Sequence, residues 1–217
     1  MTDLAFLHLL QLSDSAFPIG AFAHSSGLET YAQNGMTKID LEEYLQNQLE
    51  VGWGRLDLAA VVLAYQTKDE VGLENLCDEL SSWKVIPGIR QTSLKLGGRL
   101  LTLSKRLFAD SLTELVLTQP HHAVVFGVVG KRSGIELRSL LLAYAQGTLM
   151  NQLVAATRCL SLSPEQAQEI LVRLQPVIVA AAKSVCDDPK TSFFSATPAA
   201  DIRAHQQAFL YTRLFQS

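Results

Sequence analysis

The chain has 217 residues, of which 48% are apolar and 18% are charged, and its formal net charge is −3 at pH 7. That length is sufficient for one full domain with its own hydrophobic core. A weakly acidic chain without a block of like charges offers no electrostatic surface for nucleic acid, so we expect no nucleic-acid partner. The three cysteines, Cys77, Cys159 and Cys186, are far apart and form no C-x-x-C pair. Neither a disulfide framework nor a zinc site is predicted.

The amino terminus, MTDLAFLHLL, carries an acid and no base before its apolar part and lacks a small-residue cleavage site. It is therefore not typical of a secretory signal. Together with cysteines that form no predicted disulfide framework, this favours a cytoplasmic protein.

Residues 13 to 24 follow no regular secondary-structure period and are predicted to form a loop. Pro18 and Gly20 are typical of a turn within it. Phe17, Ile19 and Phe22 need apolar neighbours, either in this chain or on another chain. We expect these three side chains to hold the loop against the rest of the domain as a scaffold.

A short helix is predicted after this loop, over about residues 27 to 34. Ser26 and Glu29 stand in the S-x-x-E spacing of a capping box, and Gly35 sits where a left-handed residue ends a helix. His24 lies next to the predicted helix start, where a neutral imidazole with one hydrogen bond is commoner than a metal ligand. We expect this helix start to present His24 and Glu29 at the protein surface.

Apolar residues at helical spacing predict further helices, and no run of strands is indicated. Asp40 with Glu43 predicts a capping box at the start of one helix, and Ser163 followed by Pro164 predicts the start of another. The predicted fold is all-α: a compact single-domain helical bundle over residues 1 to 217. The predicted helices span 40–66, 88–108, 121–132, 135–158 and 164–185, with short helices at both ends.

The uncharged segment 139–157 is about as long as a membrane span, but Gln146, Asn151 and Gln152 favour a buried core helix. We therefore expect no membrane association.

No arrangement of residues points to catalysis. The segment GVVGKRSG, residues 127–134, lacks the spacing of a phosphate-binding loop. His121 and His122 are adjacent on a predicted helix, so they point in different directions and are not expected to bind one metal ion. The serines near His24 lack a nucleophile elbow. We expect no enzyme activity, no metal site and no cofactor.

The carboxyl end, SFFSATPAADIRAHQQAFLYTRLFQS, is unusually apolar for a chain terminus. Chain ends fray unless they are tied down, and aromatic residues with arginine are typical of interfaces. We therefore predict a docking tail over residues 193–217 that is poorly ordered without its partner.

Three separated blocks resemble the urease accessory protein UreF family. They are LLQLSDSAFPIGAFAHSSGLE near the amino terminus, the central segment from QPHHAVVFGVVGKRSGIELRS through Pro176, and the carboxyl-terminal TPAADIRAHQQAFLYTRLFQS. The resemblance covers nearly the whole chain, and residues 67–87 are its least distinctive part. One departure is Gln206-Gln207, where the family often has an Arg-His pair.

The resemblance implies a non-enzymatic, all-helical homodimer that binds the accessory protein UreD, called UreH in some species. Through that complex it would recruit and regulate the GTPase UreG, so that nickel is inserted into apo-urease. A helical ligand-binding or scaffold domain unrelated to urease is the alternative, and a small enzyme using His24 is a third reading. The residues predicted to contact partners are His24, Glu29, Phe193, Phe194, Ile202, Tyr211, Arg213, Leu214 and Phe215.

Overall fold

The computed structural model describes residues 1–108 and 114–216, and the all-α prediction is confirmed: these residues form helices and connecting turns, with no strand among them. The α-helices, in chain order, are α1 (Asp3–Ser13), α2 (Leu28–Gln33), α3 (Lys38–Val51), α4 (Trp53–Gln66), α5 (Glu70–Trp83), α6 (Pro87–Leu107), α7 (His122–Arg132), α8 (Leu137–Cys159), α9 (Pro164–Asp187) and α10 (Pro198–Gln206). Short 3-10 helices span Ala21–Ala23 and Gln207–Phe209.

Helix α4 lies at the centre of the bundle, where it packs against α3, α7, α8 and α9. Its surroundings are so apolar that four consecutive residues, which together reach most of the way around the helix, are all fully buried: Leu58, Ala59, Ala60 and Val61. The amino-terminal α1 packs on α8, and the short α2 also packs on α8. Helix α10 then lies across α2 and α6. Both terminal helices thus pack on other helices of the bundle.

The single helix predicted over 40–66 is wrong, because the backbone breaks at Gly52 into α3 and α4. Gly52 has φ −107° and ψ −131°, which is not helical. The capping box also lies one turn earlier than predicted. Thr37 is the N-cap, and the Asp40 carboxylate accepts from the Thr37 backbone N–H at 2.8 Å. Asp40 is therefore the third residue of the helix and not its cap.

The prediction for α9 is confirmed in detail. Ser163 Oγ accepts from the Gln166 N–H at 3.2 Å, while the Gln166 side chain accepts from the Ser163 N–H at 3.0 Å. This reciprocal pair satisfies donors that a helix start otherwise leaves unpaired. Helix α5 was not predicted. It nevertheless has a side-chain cap, because the Asp69 carboxylate accepts a hydrogen bond from the Gly72 N–H.

Gly127 and Gly130 serve contacts inside the bundle. A Cβ on Gly127 would come within 2.6 Å of the Val61 carbonyl oxygen, so this glycine lets α7 approach α4 closely. Gly130 faces the Leu140 side chain. Segment 139–157 is a core helix, as predicted: Leu140, Leu149 and Leu153 are fully buried. Within 1–108 and 114–216, no helix combines the length and apolar character that a membrane span requires.

Candidate partner-docking site

The amino-terminal loop is fixed on the bundle by two of its three large apolar side chains. Phe17 and Ile19 are each 8% exposed, as predicted. Gly20 has φ +84°, a left-handed conformation that glycine adopts without strain. The Arg99 guanidinium donates to the Ile19 carbonyl oxygen at 3.2 Å. Pro18, by contrast, lies on the outside of the turn.

The exposed position of Phe22 contradicts the prediction that all three side chains pack inward. It lies in the 3-10 helix after the turn, and 58% of it is exposed. Its three residues per turn direct Ala21, Phe22 and Ala23 to different sides, and Phe22 is the one most exposed to solvent. Phe22 is therefore part of the protein surface.

The predicted capping box of Ser26 and Glu29 is also wrong. Ser26 has φ +54° and Gly27, with φ +92°, is the N-cap, without a side-chain capping bond. A Cβ on Gly27 would come within 2.9 Å of the Ala204 backbone, so only glycine fits where α2 meets α10. The left-handed pair turns the helix so that Glu29 points inward and is 2% exposed.

The Glu29 carboxylate accepts hydrogen bonds from the last residues of the chain. The Leu214 N–H donates to its Oε1 at 2.7 Å, and the Phe215 N–H donates to its Oε2 at 3.3 Å. The Gln207 side-chain amide also donates to Oε2, at 3.4 Å. One buried carboxylate thus holds two backbone donors of the carboxyl terminus.

Gln207 links this carboxylate to the loop that precedes α2. Its Oε1 accepts from the Gly27 N–H at 2.8 Å and from the Ser25 hydroxyl at 3.1 Å, and the residue is 1% exposed. We refer to Ser25, Gly27, Glu29 and Gln207 as the tail clasp. Gln206, the other member of the pair that departs from the family pattern, is exposed and accepts from Arg203.

The remaining contacts of the carboxyl terminus bury one face of it. Phe215 is 4% exposed, with the Arg158 guanidinium 4.8 Å from its ring centre. The Gln216 N–H donates to the Ala23 carbonyl oxygen at 3.0 Å, and the Gln33 side chain donates to the Thr212 carbonyl oxygen at 3.2 Å. These bonds attach the carboxyl terminus to the body of the chain, in contrast to the predicted tail that is poorly ordered without its partner.

The sequence-predicted tail residues divide into buried and exposed sets. Phe193 is buried and Phe194 is half-buried, whereas Arg213 is exposed. We define the docking face as the large apolar side chains that the tail and its neighbouring turn leave exposed. These are Phe22 (58%), Ile202 (58%), Phe209 (75%), Tyr211 (102%) and Leu214 (61%).

His24 lies inside the protein and not at its surface, which corrects its predicted placement. It is 9% exposed, and its Nδ1 lies 3.3 Å from the Thr92 hydroxyl. Burial lowers the pKa of His24, and the positive charges of Lys95 and Arg99 lower it further. The imidazole is therefore neutral at pH 7, as predicted.

A cavity of about 170 Å³ lies between the central helices and α10. Its lining includes a buried ion pair, in which Lys84 Nζ lies 2.6 Å from Asp57 Oδ1. The Tyr144 hydroxyl donates to Asp57 Oδ2 at 3.4 Å. His122 lines the same cavity, and burial lowers its pKa to about 4.

The two adjacent histidines point in different directions, as predicted, although only His122 lies within the helix. His121 is the N-cap of α7, and its ring nitrogens contact the Ser81 and Ser93 hydroxyls at 2.8 and 2.9 Å. His122 lies instead beside the Phe126 and Tyr144 rings. No group of three or more metal-ligating side chains occurs within the described part of the chain.

Comparison with known proteins agrees with the resemblance of the three sequence blocks. The model of the UreF family matches residues 36–175. A urease accessory protein UreF from Haemophilus influenzae is 35% identical over this whole chain and 97% of its own length. Proteins of the same name from Nostoc and from Actinobacillus pleuropneumoniae are 31% and 32% identical, covering 100% and 96% of this chain and 98% and 97% of their own lengths.

Proposed function

Because the chain belongs to the UreF family of urease accessory proteins, we propose that it is an adaptor that helps to insert nickel into apo-urease. In this role it binds UreD, the protein called UreH in some species, and through that complex recruits and regulates the GTPase UreG. It works in the cytoplasm and contributes binding surfaces in place of catalytic residues. Nickel is the cargo of the assembly, and we assign no nickel ligand to this chain.

The observation that carries this proposal is the docking face. Large apolar side chains exposed at the end of a chain are unfavourable in water, and burying a Leu or Phe contributes about 1.5 to 3 kcal/mol each. Tyr211 and Leu214 are both exposed, and the Leu214 N–H donates a hydrogen bond to Glu29 in the body of the chain. Aromatic residues and arginine are also the commonest interface hot spots, and Arg213 lies between them. We assign this face to UreD.

His24, Glu29, Phe193 and Phe215 take an indirect part in this proposal. All four are buried in the chain, so they are not accessible for direct contact with a partner. Phe194, Ile202, Tyr211, Arg213 and Leu214 are accessible for direct contact. The alternative of a scaffold unrelated to urease is set aside, because the chain belongs to the UreF family.

Removal of two exposed side chains from the docking face should abolish most UreD binding. We expect the double variant Tyr211→Ala/Leu214→Ala to bind UreD at least about tenfold more weakly in a pull-down and by calorimetry. Its melting temperature should stay unchanged, because both side chains are largely in solvent. The matched control is Ile39→Ala/Val71→Ala, which removes exposed apolar side chains from α3 and α5. Equal UreD affinity of the wild type and the tail variant would contradict the assignment.

The role in nickel insertion is tested in a urease-positive cell that lacks this gene. We expect urease protein to be present but to contain little nickel, and the wild-type gene to restore both nickel content and activity. Tyr211→Ala/Leu214→Ala should fail to restore them. Nickel-loaded urease in the deletion strain would disprove the proposed function.

We also propose that the chain forms a homodimer. The glycines of α7 and the segment 139–157 give no support to this, since they pack within the bundle. The support comes from α1, which leaves Leu4, Leu7 and Leu10 more than half exposed. An exposed helix face with three leucines can pair with itself around a two-fold axis.

Light scattering at micromolar concentration should therefore report twice the chain mass of 23.8 kDa. Leu4→Glu/Leu7→Glu should shift the mass to that of one chain, because two-fold pairing would bring the new carboxylates together. A wild-type chain that stays monomeric across the concentration range would refute the dimer.

A further inference from the structure

Helix α6 carries only positive charge. Its 21 residues include five cations and no acidic residue, although the chain as a whole has a net charge of −3. The cations are Arg90, Lys95, Arg99, Lys105 and Arg106. No carboxylate within residues 1–108 and 114–216 forms an ion pair with any of them. Arg90 and Arg99 donate to the backbone carbonyl oxygens of Ser81 and Ile19 instead. In the described chain, the positive charge of α6 is therefore not paired with an acidic neighbour.

Three of these cations lie on one face of the helix. Lys95, Arg99 and Arg106 follow each other at intervals of four and seven positions, which is the spacing of a single helix face, and all three are exposed. Thr102 completes that face and is exposed as well. With a rise of about 1.5 Å per residue, the row from Lys95 to Arg106 extends roughly 16 Å. We refer to Lys95, Arg99 and Arg106 as the basic stripe.

The basic stripe borders the docking face. The Arg99 guanidinium bonds the Ile19 carbonyl oxygen at 3.2 Å, and Phe22 follows three residues later. After burial, the positive charges of Lys95 and Arg99 are the next causes that lower the pKa of His24, so these cations lie close to the end of the same turn. Helix α10, which carries Ile202, also packs on α6. A protein that covers the docking face therefore comes close to the stripe.

We propose that the basic stripe extends the UreD-binding surface, and that it pairs with an acidic segment of UreD beside the apolar contacts of the docking face. The inference rests on the proposed function, because it names the chemistry of the partner surface at that same site. The chain's net charge of −3 repels an extended anionic surface such as a membrane or nucleic acid, whereas a few carboxylates of a protein can match three local cations. The Arg106 guanidinium can hold a carboxylate through two parallel hydrogen bonds.

Charge reversal tests this inference through the rate of association with UreD, measured by surface plasmon resonance. The variant Lys95→Glu/Arg106→Glu leaves Arg99 in place, because Arg99 also holds the Ile19 carbonyl oxygen. We expect the association rate constant at low salt to fall at least about tenfold, and the dissociation rate constant to change less than about twofold, since exposed interface charges act mainly on association. In salt of about 1 M the variant and the wild type should associate at similar rates, because the charges are then screened.

The matched control is Lys68→Glu/Lys190→Glu, which changes the net charge equally at two exposed lysines outside α6. It should alter the association rate constant less than about twofold. The docking-face variant Tyr211→Ala/Leu214→Ala should instead dissociate faster and keep the salt dependence of the wild type. The melting temperature of the stripe variant should match that of the wild type, because both substituted side chains are exposed.

Equal association rates and equal salt dependence of the wild type and the stripe variant would overturn the inference and leave the proposed function in place. Equal losses in the stripe variant and the control would also overturn it, since net charge alone would then explain the effect. A third contrary result is sedimentation of the wild type, but not of the stripe variant, with vesicles of phosphatidylcholine and phosphatidylserine, because the stripe would then be a membrane-binding surface. A wild-type chain that binds no UreD would disprove the proposed function, and this inference with it.

Discussion

Lys84→Met is expected to lower the free energy of unfolding by about 3 to 5 kcal/mol, because it leaves a buried carboxylate without its charged partner. Lys84 Nζ lies 2.6 Å from Asp57 Oδ1, and the two side chains are 7% and 13% exposed. The Tyr144 hydroxyl remains as a donor to Asp57, but at 3.4 Å it replaces little of the lost interaction. Methionine fills a similar volume, so the loss of stability measures the removal of the positive charge and not the creation of a cavity.

Urea denaturation followed by circular dichroism measures this loss. The matched control is Lys183→Met, which removes an ion pair of 2.7 Å with Asp187 on the surface of α9, where the side chains are 75% and 63% exposed. Exposed pairs contribute little, so the control should change stability by less than about 1 kcal/mol. The double variant Lys84→Met/Asp57→Asn should recover much of the loss, since no unpaired charge is then buried. Equal effects of the two lysine variants would show that the buried pair has no special role.

This ion pair is a feature of the structure that the sequence alone does not predict. Apolar residues at helical spacing correctly predicted that the α4 region is helical, because that pattern depends only on local sequence. Asp57 stands among the buried apolar residues of α4, and a charge in such surroundings is a sign of a buried partner. Nothing in the sequence indicates that this partner is Lys84, since α5 was not predicted and the pairing depends on how the helices pack.

The sequence also did not predict the break between α3 and α4. The apolar stripe continues across Gly52 without interruption, so periodicity alone predicts one helix. A glycine inside a helix lowers the stability of the helix by only about 1 kcal/mol. Tertiary contacts outweigh an energy of this size, so the glycine alone does not decide whether the helix continues or breaks. The cap of α9 could be predicted because Ser163 and Gln166 bond each other locally.

The sequence indicated which residues form the candidate site, but not which of their side chains point outward. The apolar residues of the tail indicated a docking segment, and the sequence blocks at both chain ends indicated the family. Glu29 bonds the backbone of Leu214 and Phe215, which lie 185 and 186 positions away in the sequence. The S-x-x-E spacing indicated a local cap instead, and Gln207 gave no signal except its departure from the family pattern.

The amino-terminal loop offers a test in which two phenylalanines five positions apart should behave in opposite ways. Phe17→Ala removes a ring that is 8% exposed, and truncation of a buried phenylalanine typically lowers stability by about 3 to 5 kcal/mol. The loss includes the apolar contacts of the ring and the cavity that it leaves. We expect a clear fall in melting temperature.

Phe22→Ala, in contrast, should leave the melting temperature nearly unchanged, because 58% of that ring is already in solvent and surface substitutions usually alter stability by less than about 0.5 kcal/mol. It should instead weaken UreD binding and urease activation, since the turn that carries it is hydrogen-bonded to the tail through Ala23 and Gln216. Thermal melting and an activation assay on both variants decide the matter. If Phe17→Ala melts like the wild type yet fails to activate urease, the buried ring faces a partner and the two roles are reversed.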